Sequence, residues 1–218
     1  MELKGKKVLV TGGASGIGRE IALEYARAGA LVIVADKDYE GDRFVRGELR
    51  PIMPECCFFH CDLALSSACE NLMQSIFEQF DDLDIIINNA GVSQFCSLWE
   101  ETVEHWDYVL NSNLRAMFLI SREYMINRRK KGYKERYGRI VNISSTRSLM
   151  SEEGTEAYTA SASKGGVTAL THALAVSFAP YAVTVNSISP GWICCDGYDQ
   201  LKYADHRQHL SGREKSRR

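Results

Sequence analysis

Several features that would narrow the field at once are missing from this sequence. Its 218 residues hold only 4 prolines, and no apolar run approaches the 18 or so residues that a membrane-crossing helix needs. The opening segment, Met1-Glu-Leu-Lys-Gly-Lys-Lys7, leads straight into a β-rich stretch without the apolar core of a secretory leader, so none is expected. Neither sign of charge is in excess. The formal net charge of -2 gives no global attraction to nucleic acid or to anionic lipid, so no nucleic-acid or membrane partner is expected. There is no repeat at solenoid period and no low-complexity segment. What remains is the composition of a folded domain: 45% hydrophobic and 25% charged residues, enough apolar volume to offset the entropy of ordering. A single domain of this length should bury roughly 70% of the surface it exposes when unfolded.

The 7 cysteines are Cys56, Cys57, Cys61, Cys69, Cys96, Cys194 and Cys195; no two stand at C-x-x-C spacing, and a chain this long needs no disulfide scaffold. Cys56-Cys57-Phe-Phe-His60-Cys61 reads as a metal cluster only until strand alternation is considered, which sends neighbouring side chains to opposite faces. Buried thiols in a reducing, cytoplasmic compartment are expected instead, and no metal. A second outlier is the basic tract Arg128, Arg129, Lys130, Lys131, Lys134, Arg136 and Arg139. A nucleic-acid patch is one reading. The tract falls where a helix should end, however, and cations are favoured there, so a solvated helix terminus and loop is the preferred one.

Short β-rich runs alternate with helical patterns along the whole chain. Strands are expected at 7–11, 31–35, 58–61, 84–88, 139–144 and 183–188. Helices should lie at about 16–28, 39–50, 66–80, from 103 or 107 to 129, and 155–179. The second strand, Leu31-Val-Ile-Val-Ala35, is an unbroken apolar run of the kind buried on both faces. Right-handed crossovers then give an α/β, doubly wound, Rossmann-like parallel sheet of order 3-2-1-4-5-6. One domain over 1–218 is expected. Residues 1–100 would form mainly a cofactor-binding half, 101–191 a catalytic half, and 192–218 a substrate-loop and C-terminal segment.

The first strand runs into Thr11-Gly12-Gly13-Ala14-Ser15-Gly16-Ile17-Gly18 and then a helix. Glycine lets the backbone turn sharply and lets a pyrophosphate approach the amides, and a helix N-terminus offers unpaired N–H groups to it. About twenty residues on, Asp36 ends the second strand, where a carboxylate accepts hydrogen bonds from a ribose diol and repels a 2′-phosphate. Ser15 adds no cation to the turn, while Lys37 partly offsets Asp36. The balance favours NAD, with NADP less so.

Further residues carry a resemblance. Thr11-Gly12-x-x-x-Gly16-x-Gly18, Asp62 after the third strand and Asn88-Asn89-Ala90-Gly91 after the fourth are followed by Asn113, Ser145, Tyr158, Lys164 and Pro190-Gly191. In this order the set resembles the short-chain dehydrogenase/reductase family over nearly the whole chain, in particular its sugar or polyol and 3-oxoacyl-type reductases. The resemblance implies an enzyme that moves a hydride between NAD(H) and a secondary alcohol or ketone, a sugar or small polyol being a candidate substrate. It implies Tyr158 as acid/base, its phenol lowered from a pKa near 10 by a neighbouring ammonium. Ser145 would hydrogen-bond the substrate oxygen, Lys164 would hold the nicotinamide ribose, and Asn113 would support a water in the proton relay. Asp62 and Leu63 would meet the adenine end, Asn89, Ala90 and Gly91 would line the cofactor, and the backbone at Ile193, after Pro190 and Gly191, would meet the carboxamide. Ile17 belongs to the phosphate turn with Gly12, Ser15, Gly16 and Gly18. A homodimer or homotetramer through the helices 107–129 and 155–179 is also implied.

Two departures from the family pattern matter. The family spaces tyrosine and lysine as Y-x-x-x-K, whereas Tyr158-Thr-Ala-Ser-Ala-Ser-Lys164 carries two extra residues. On a regular helix, positions i and i+4 differ by about 40° around the axis, but i and i+6 by roughly 240°. Three outcomes are open: a π-type bulge absorbs the surplus, the helix begins later with Tyr158 in a looser turn, or one of the pair leaves the site. The last implies a nucleotide-binding homologue with impaired or no catalysis, the alternative to an active enzyme. Secondly, the family continues to about 250 residues through a final strand that this chain lacks, leaving the sixth strand an uncovered edge. Trp192, Tyr198 and Tyr203 should cover the pocket, and Cys195 stands where the family often has threonine near the nicotinamide.

Overall fold

Two-sided burial dictates the strands. The computed structural model describes residues 3–93, 98–134, 136–151 and 157–193. β1 (Lys7–Thr11), β2 (Leu31–Asp36), β3 (Cys57–His60), β4 (Ile85–Asn88), β5 (Gly138–Ile143) and β6 (Val183–Ile188) form a parallel sheet in the order β3-β2-β1-β4-β5-β6. Val8 stands beside Val32 on one side and Ile85 on the other. Their alternate neighbours, Leu9, Ile33 and Ile86, point to the opposite face. Helices cover both faces, so both sets are apolar, as a parallel sheet requires.

One face is packed by α1 (Gly16–Arg27) and α2 (Glu40–Phe44), through Ala22, Leu23, Ala26 and Phe44. The other is packed by α3 (Ser66–Phe80), α5 (Ala116–Lys130) and α6 (Tyr158–Phe178), through Met73, Ile76, Leu119, Ile120, Leu174 and Phe178. The helix expected at 39–50 is α2 continued by a π-helical turn, Val45–Leu49. The long helix expected to 129 is likewise divided. α4 (Val103–Leu110), whose Thr102 hydroxyl accepts from the His105 N–H at 3.1 Å, joins α5 through a second π-helical turn, Asn111–Arg115. Such turns re-aim side chains and recur at functional sites. No helix among the described residues is long and apolar enough to cross a membrane.

Most of the basic tract is the solvated helix terminus and loop expected of it, with Arg129, Lys130, Lys131, Lys134 and Arg139 exposed, but Arg128 departs from that expectation. Arg128 is fully buried beneath the end of α5; it donates to Asp82 at 3.3 Å, to the Tyr124 hydroxyl at 3.1 Å and to the Arg136 carbonyl. Arg136 reaches Asp84 at 3.2 Å and Asp82 at 3.6 Å, and Lys131 pairs with Asp81. The physical reason lies in the loop before β4, where Asp81, Asp82 and Asp84 bring three carboxylates against the tract. Burial pushes the Asp82 carboxyl up, whereas the Lys7 N–H and Arg136 outweigh burial at Asp84 and hold it down.

Cys56, Cys61 and Cys69 are free and buried. Burial pushes the Cys61 thiol up to about 12 and that of Cys69 up to about 11, so neither is a ready thiolate. Among the described residues no three His, Cys, Asp or Glu side chains are placed to hold a metal ion. Cys96, Cys194 and Cys195 lie outside the described residues.

Breaking a buried ion pair from one side strands a charge in low dielectric. Arg128→Met is therefore expected to destabilise the fold by about 3–5 kcal/mol in urea denaturation, while Arg128→Met with Asp82→Leu recovers most of that loss. A single variant within about 1 kcal/mol of the parent would show the pair to be dispensable.

Candidate active site

At the carboxyl ends of β1 and β4 the strand order reverses, and the crevice that such a reversal opens is where open α/β sheets take ligands. Here it is a cavity of about 570 Å³. Its floor is the glycine turn. Gly12 sits at φ +61°, and a Cβ on Gly18 would lie 2.1 Å from the Gly12 carbonyl oxygen and 2.4 Å from Asn89 Nδ2. That close approach lets the Asn89 amide donate to the carbonyls of Thr11 and Gly12, at 3.1 and 3.0 Å. Thr11 Oγ1 in turn accepts from the Asn89 and Ala90 N–H groups, both at 3.0 Å. Ser15 precedes α1 in extended backbone, and its side chain makes no capping bond, so the N–H groups of the first turn are left to other partners.

At one end of the cavity the Asp36 carboxylate accepts from the Ala14 and Asp38 N–H groups at 3.0 and 3.1 Å. Lys37 Nζ donates to the Tyr108 hydroxyl at 2.7 Å and lies 5.5 Å from that ring's centre. The hydrogen bond raises the Lys37 ammonium above its ordinary range. Asp62 and Leu63 complete this end, Asp62 accepting from the Ala64 N–H at 3.0 Å.

At the other end Ser145 caps a 3₁₀ turn, Thr146–Ser148, its Oγ accepting from the Arg147 N–H at 3.1 Å. An oxygen that accepts there keeps its O–H to donate elsewhere. Lys164 Nζ donates to the Ile143 carbonyl at 2.6 Å, and burial lowers its ammonium to about 8. Gly91 lies beside it: a Cβ there would be in ordinary contact with Nζ at 3.5 Å and tight against Asn113 Oδ1 at 3.2 Å.

Of the residues expected at the site, the cavity is lined by Gly12, Ser15, Ile17, Asp36, Asp62, Leu63, Asn89, Ala90, Gly91, Ser145, Lys164, Pro190 and Gly191. Gly16 and Gly18 shape the turn from behind it, and Ile193, half exposed, is not part of the lining. Asn113 is wholly buried and its amide is fully engaged. Oδ1 accepts from the Val92 N–H at 2.7 Å, and Nδ2 donates to the Val92 carbonyl at 2.9 Å and to Ser163 Oγ at 3.0 Å. It positions the β4 loop against α6 rather than facing the cavity.

Tyr158 is the residue the structure does not bring to the site. α6 is a regular α-helix from Tyr158 onward, with no bulge between Tyr158 and Lys164, so the tyrosine stands roughly 240° round the axis from the lysine, which lines the cavity while Tyr158 does not. Tyr158 is 38% exposed, while Ala160 is buried at the i−4 position from Lys164, the place a Y-x-x-x-K spacing gives to tyrosine. Tyr108 and Ser112 line the cavity and were not expected there; they stand four apart across α4 and its π-helical turn, a spacing that alone could have flagged them. Tyr198, Tyr203 and the position of Cys195 lie outside the described residues.

A parallel sheet with a glycine turn, a carboxylate closing β2 and a cavity at the switch point define a dinucleotide-binding α/β fold. The comparisons with known proteins narrow this class: residues 6–203 match the family described as short chain dehydrogenase. The chain is 38% identical over 219 residues to an uncharacterized oxidoreductase of Thermotoga maritima, a match covering 97% of this chain and 83% of that one. It is 36% identical over 196 residues to a cyclopentanol dehydrogenase of Comamonas, covering 90% and 76% respectively. A solved Pseudomonas aeruginosa RhlG/NADP active-site complex superimposes with a TM-score of 0.81 at 30% identity, covering 89% of this chain and 75% of that one. This chain belongs to the short-chain dehydrogenase family of oxidoreductases.

The Gly18 contacts make a direct test of the turn. Gly18→Ala forces a methyl against a carbonyl and the Asn89 clamp. The expected result is a loss of about 1–3 kcal/mol in thermal denaturation, accompanied by loss of NADH binding in a fluorescence titration. A variant that binds NADH normally would show the clamp to be irrelevant to the nucleotide.

Proposed function

We propose that this chain binds NAD(H) in the switch-point cavity and interconverts a secondary alcohol and its ketone there, with turnover held low by the displaced tyrosine. The observation carrying the proposal is that Lys164 and Ser145 line the same cavity as the glycine turn and Asp36. The residues present suit a nicotinamide dinucleotide. Uncapped N–H groups at the start of α1 suit a pyrophosphate, and the Asp36 carboxylate suits a ribose diol. The Lys164 ammonium spends one of its three donors on Ile143 and has others for a ribose hydroxyl. Pro190, Gly191 and the backbone toward Ile193 would meet the nicotinamide end. When bound, the dinucleotide supplies the hydride acceptor or donor. The chain's part is to orient the substrate oxygen through the Ser145 hydroxyl and to exclude water from it.

Asp36 supports NAD over NADP, because a 2′-phosphate would meet a carboxylate while Lys37 is drawn to Tyr108. The solved relative bound to NADP makes both dinucleotides necessary probes. For substrate, the relative named cyclopentanol dehydrogenase supports a secondary alcohol, and sugars or small polyols belong in the same panel. Homodimers or homotetramers through α5 and α6 are part of the proposal, supported by Phe118 and Val176, large apolar side chains left exposed on those helices.

A second reading, nucleotide binding with little or no catalysis, is favoured by the exposed Tyr158. One deletion separates the two. Removing Ala162 and Ser163 leaves Tyr158-Thr-Ala-Ser-Lys and places the tyrosine one turn from the lysine on the same face. Following NADH absorbance with cyclopentanol and polyols, the deletion should raise turnover at least about tenfold, the low end of what a positioned acid/base contributes being about a hundredfold. Absence of turnover in both proteins with intact NADH binding leaves the second reading. The cofactor assignment is checked through Asp36→Ala. It should lower the ratio of NADH to NADPH affinity by about tenfold, the equivalent of ~1.4 kcal/mol, and an unaltered ratio would remove Asp36 from the discrimination.

A further inference from the structure

With Tyr158 on a different face of α6 from Lys164 and outside the lining of the cavity, a proton must still reach or leave the substrate oxygen if hydride is to move. Among the described residues lining the cavity beside Ser145, which are Ile143, Ser144, Lys164, Pro190 and Gly191, Lys164 alone carries a titratable group. We infer that Lys164 itself exchanges that proton in this chain, serving as the acid/base rather than as an accessory to a phenol. The inference rests on the proposed dinucleotide-dependent reaction and adds to it the identity of the proton carrier.

Position comes first. Lys164 Nζ is held at 2.6 Å by the carbonyl of Ile143, two residues before Ser145 on the same strand end. Amine and hydroxyl therefore sit on one rim of one cavity. Gly91 offers no side chain to cover the amine, and one turn back on α6 Ala160 offers only a methyl. Among the described residues the other charged and titratable groups of the cavity are Asp36, Lys37, Cys61, Asp62 and Tyr108, and those on the elements packed against α6 include Arg147 on the 3₁₀ turn, His105 on α4 and Glu101 just before it. Lys37 and Tyr108 are engaged with each other, and Glu101 with His105 and Thr159. Among the described residues the hydrogen bond of the ammonium runs to a carbonyl, not to a carboxylate, and burial lowers it to about 8, where amine and ammonium interconvert near neutral pH.

The step balances without further reagents. In oxidation the Lys164 amine takes the alcohol O–H proton. The carbinol C–H pair departs as hydride to the oxidised nicotinamide, and the C–O bond becomes C=O. In reduction the ammonium gives its proton to the oxygen as hydride arrives at carbon, and the amine recovers a proton from water. The sign of the pH dependence follows: oxidation rises with pH through about 8 as amine forms, and reduction falls over the same interval.

The test uses cyclopentanol and cyclopentanone with NAD⁺ and NADH, beside NADH binding by fluorescence and competitive labelling of Lys164 by acetic anhydride, read by peptide mass spectrometry. Expected are Tyr158→Phe within about twofold of the parent, Lys164→Met reduced at least about fiftyfold, and a labelling midpoint near 8 in the protein without dinucleotide. A drop of about tenfold or more in Tyr158→Phe overturns the inference, because the phenol then acts after all. NADH binding without any turnover in the parent also overturns it while leaving nucleotide binding intact. A protein that binds no NADH at all removes the proposed function and this inference together.

Discussion

The bond from Lys164 Nζ to the Ile143 carbonyl, 2.6 Å long, joins α6 to the end of β5 at the site where the proposed chemistry takes place. It does not act alone. Ser163 Oγ takes a hydrogen bond from Asn113, Ser144 Oγ donates to the Lys164 carbonyl at 3.0 Å, and Gly166 passes so close to Leu114 that a Cβ would stand 2.7 Å from it. Together these set the rotation of α6 about its axis. Every residue of that helix then falls where the lysine's register puts it.

Magnitudes explain why the two surplus residues displaced the tyrosine and not the lysine. From Val167 onward α6 buries Val167, Thr171, Leu174 and Phe178, and Thr171 Oγ1 accepts from Asn142 at 2.9 Å. Rotating the helix by two residues would drag each apolar side chain off the sheet, at about 1.5–3 kcal/mol apiece. It would also leave the Asn142 amide without that partner, a further loss of about 1–3 kcal/mol. At the other end the first turn presents smaller side chains, the buried Ala160 and Thr159, whose hydroxyl donates to Glu101 at 2.8 Å. The cheaper adjustment is to push the surplus toward the N-terminus of the helix. A π-type bulge between the two residues would have kept both in place, but it needs a π-helical turn within the first two turns of α6. The structure places its π-helical turns elsewhere, at 45–49 and 111–115.

Much of this was legible in the amino-acid order. Strand order follows from β-rich runs separated by helices and the handedness of crossovers, and the glycine turn, Asp36 and the Asn89-Ala90-Gly91 segment all meet at the cavity or its clamp. Less legible was anything depending on which partner a side chain finds at long range. Arg128 reads as one cation in a basic tract, and only its placement over Asp82 shows it to be the interior of an ion network. Asn113 stands at the expected position, yet its amide is spent on Val92 and Ser163, a commitment set by the π-helical turn that carries it. The interval from Tyr158 to Lys164 announced a conflict. Which residue would yield depended on the packing of the next three turns, and spacing does not encode that.

These observations divide the site into two separately built halves. The phosphate turn, its Thr11–Asn89 clamp and Asp36 rest on β1, β2 and β4, and none of them touches the α6 register. The proposed acid/base half rests on β5 and α6, joined to the β4 loop through Asn113, which bonds both Val92 and Ser163. The elements that would recognise the nucleotide and those proposed to move the proton therefore meet chiefly through Asn113. A change of register at the start of α6 leaves the hydrogen bonds of the glycine turn and Asp36 in place, and the amine that the family's pattern pairs with the phenol stays in the lining of the cavity with its own titration set by burial.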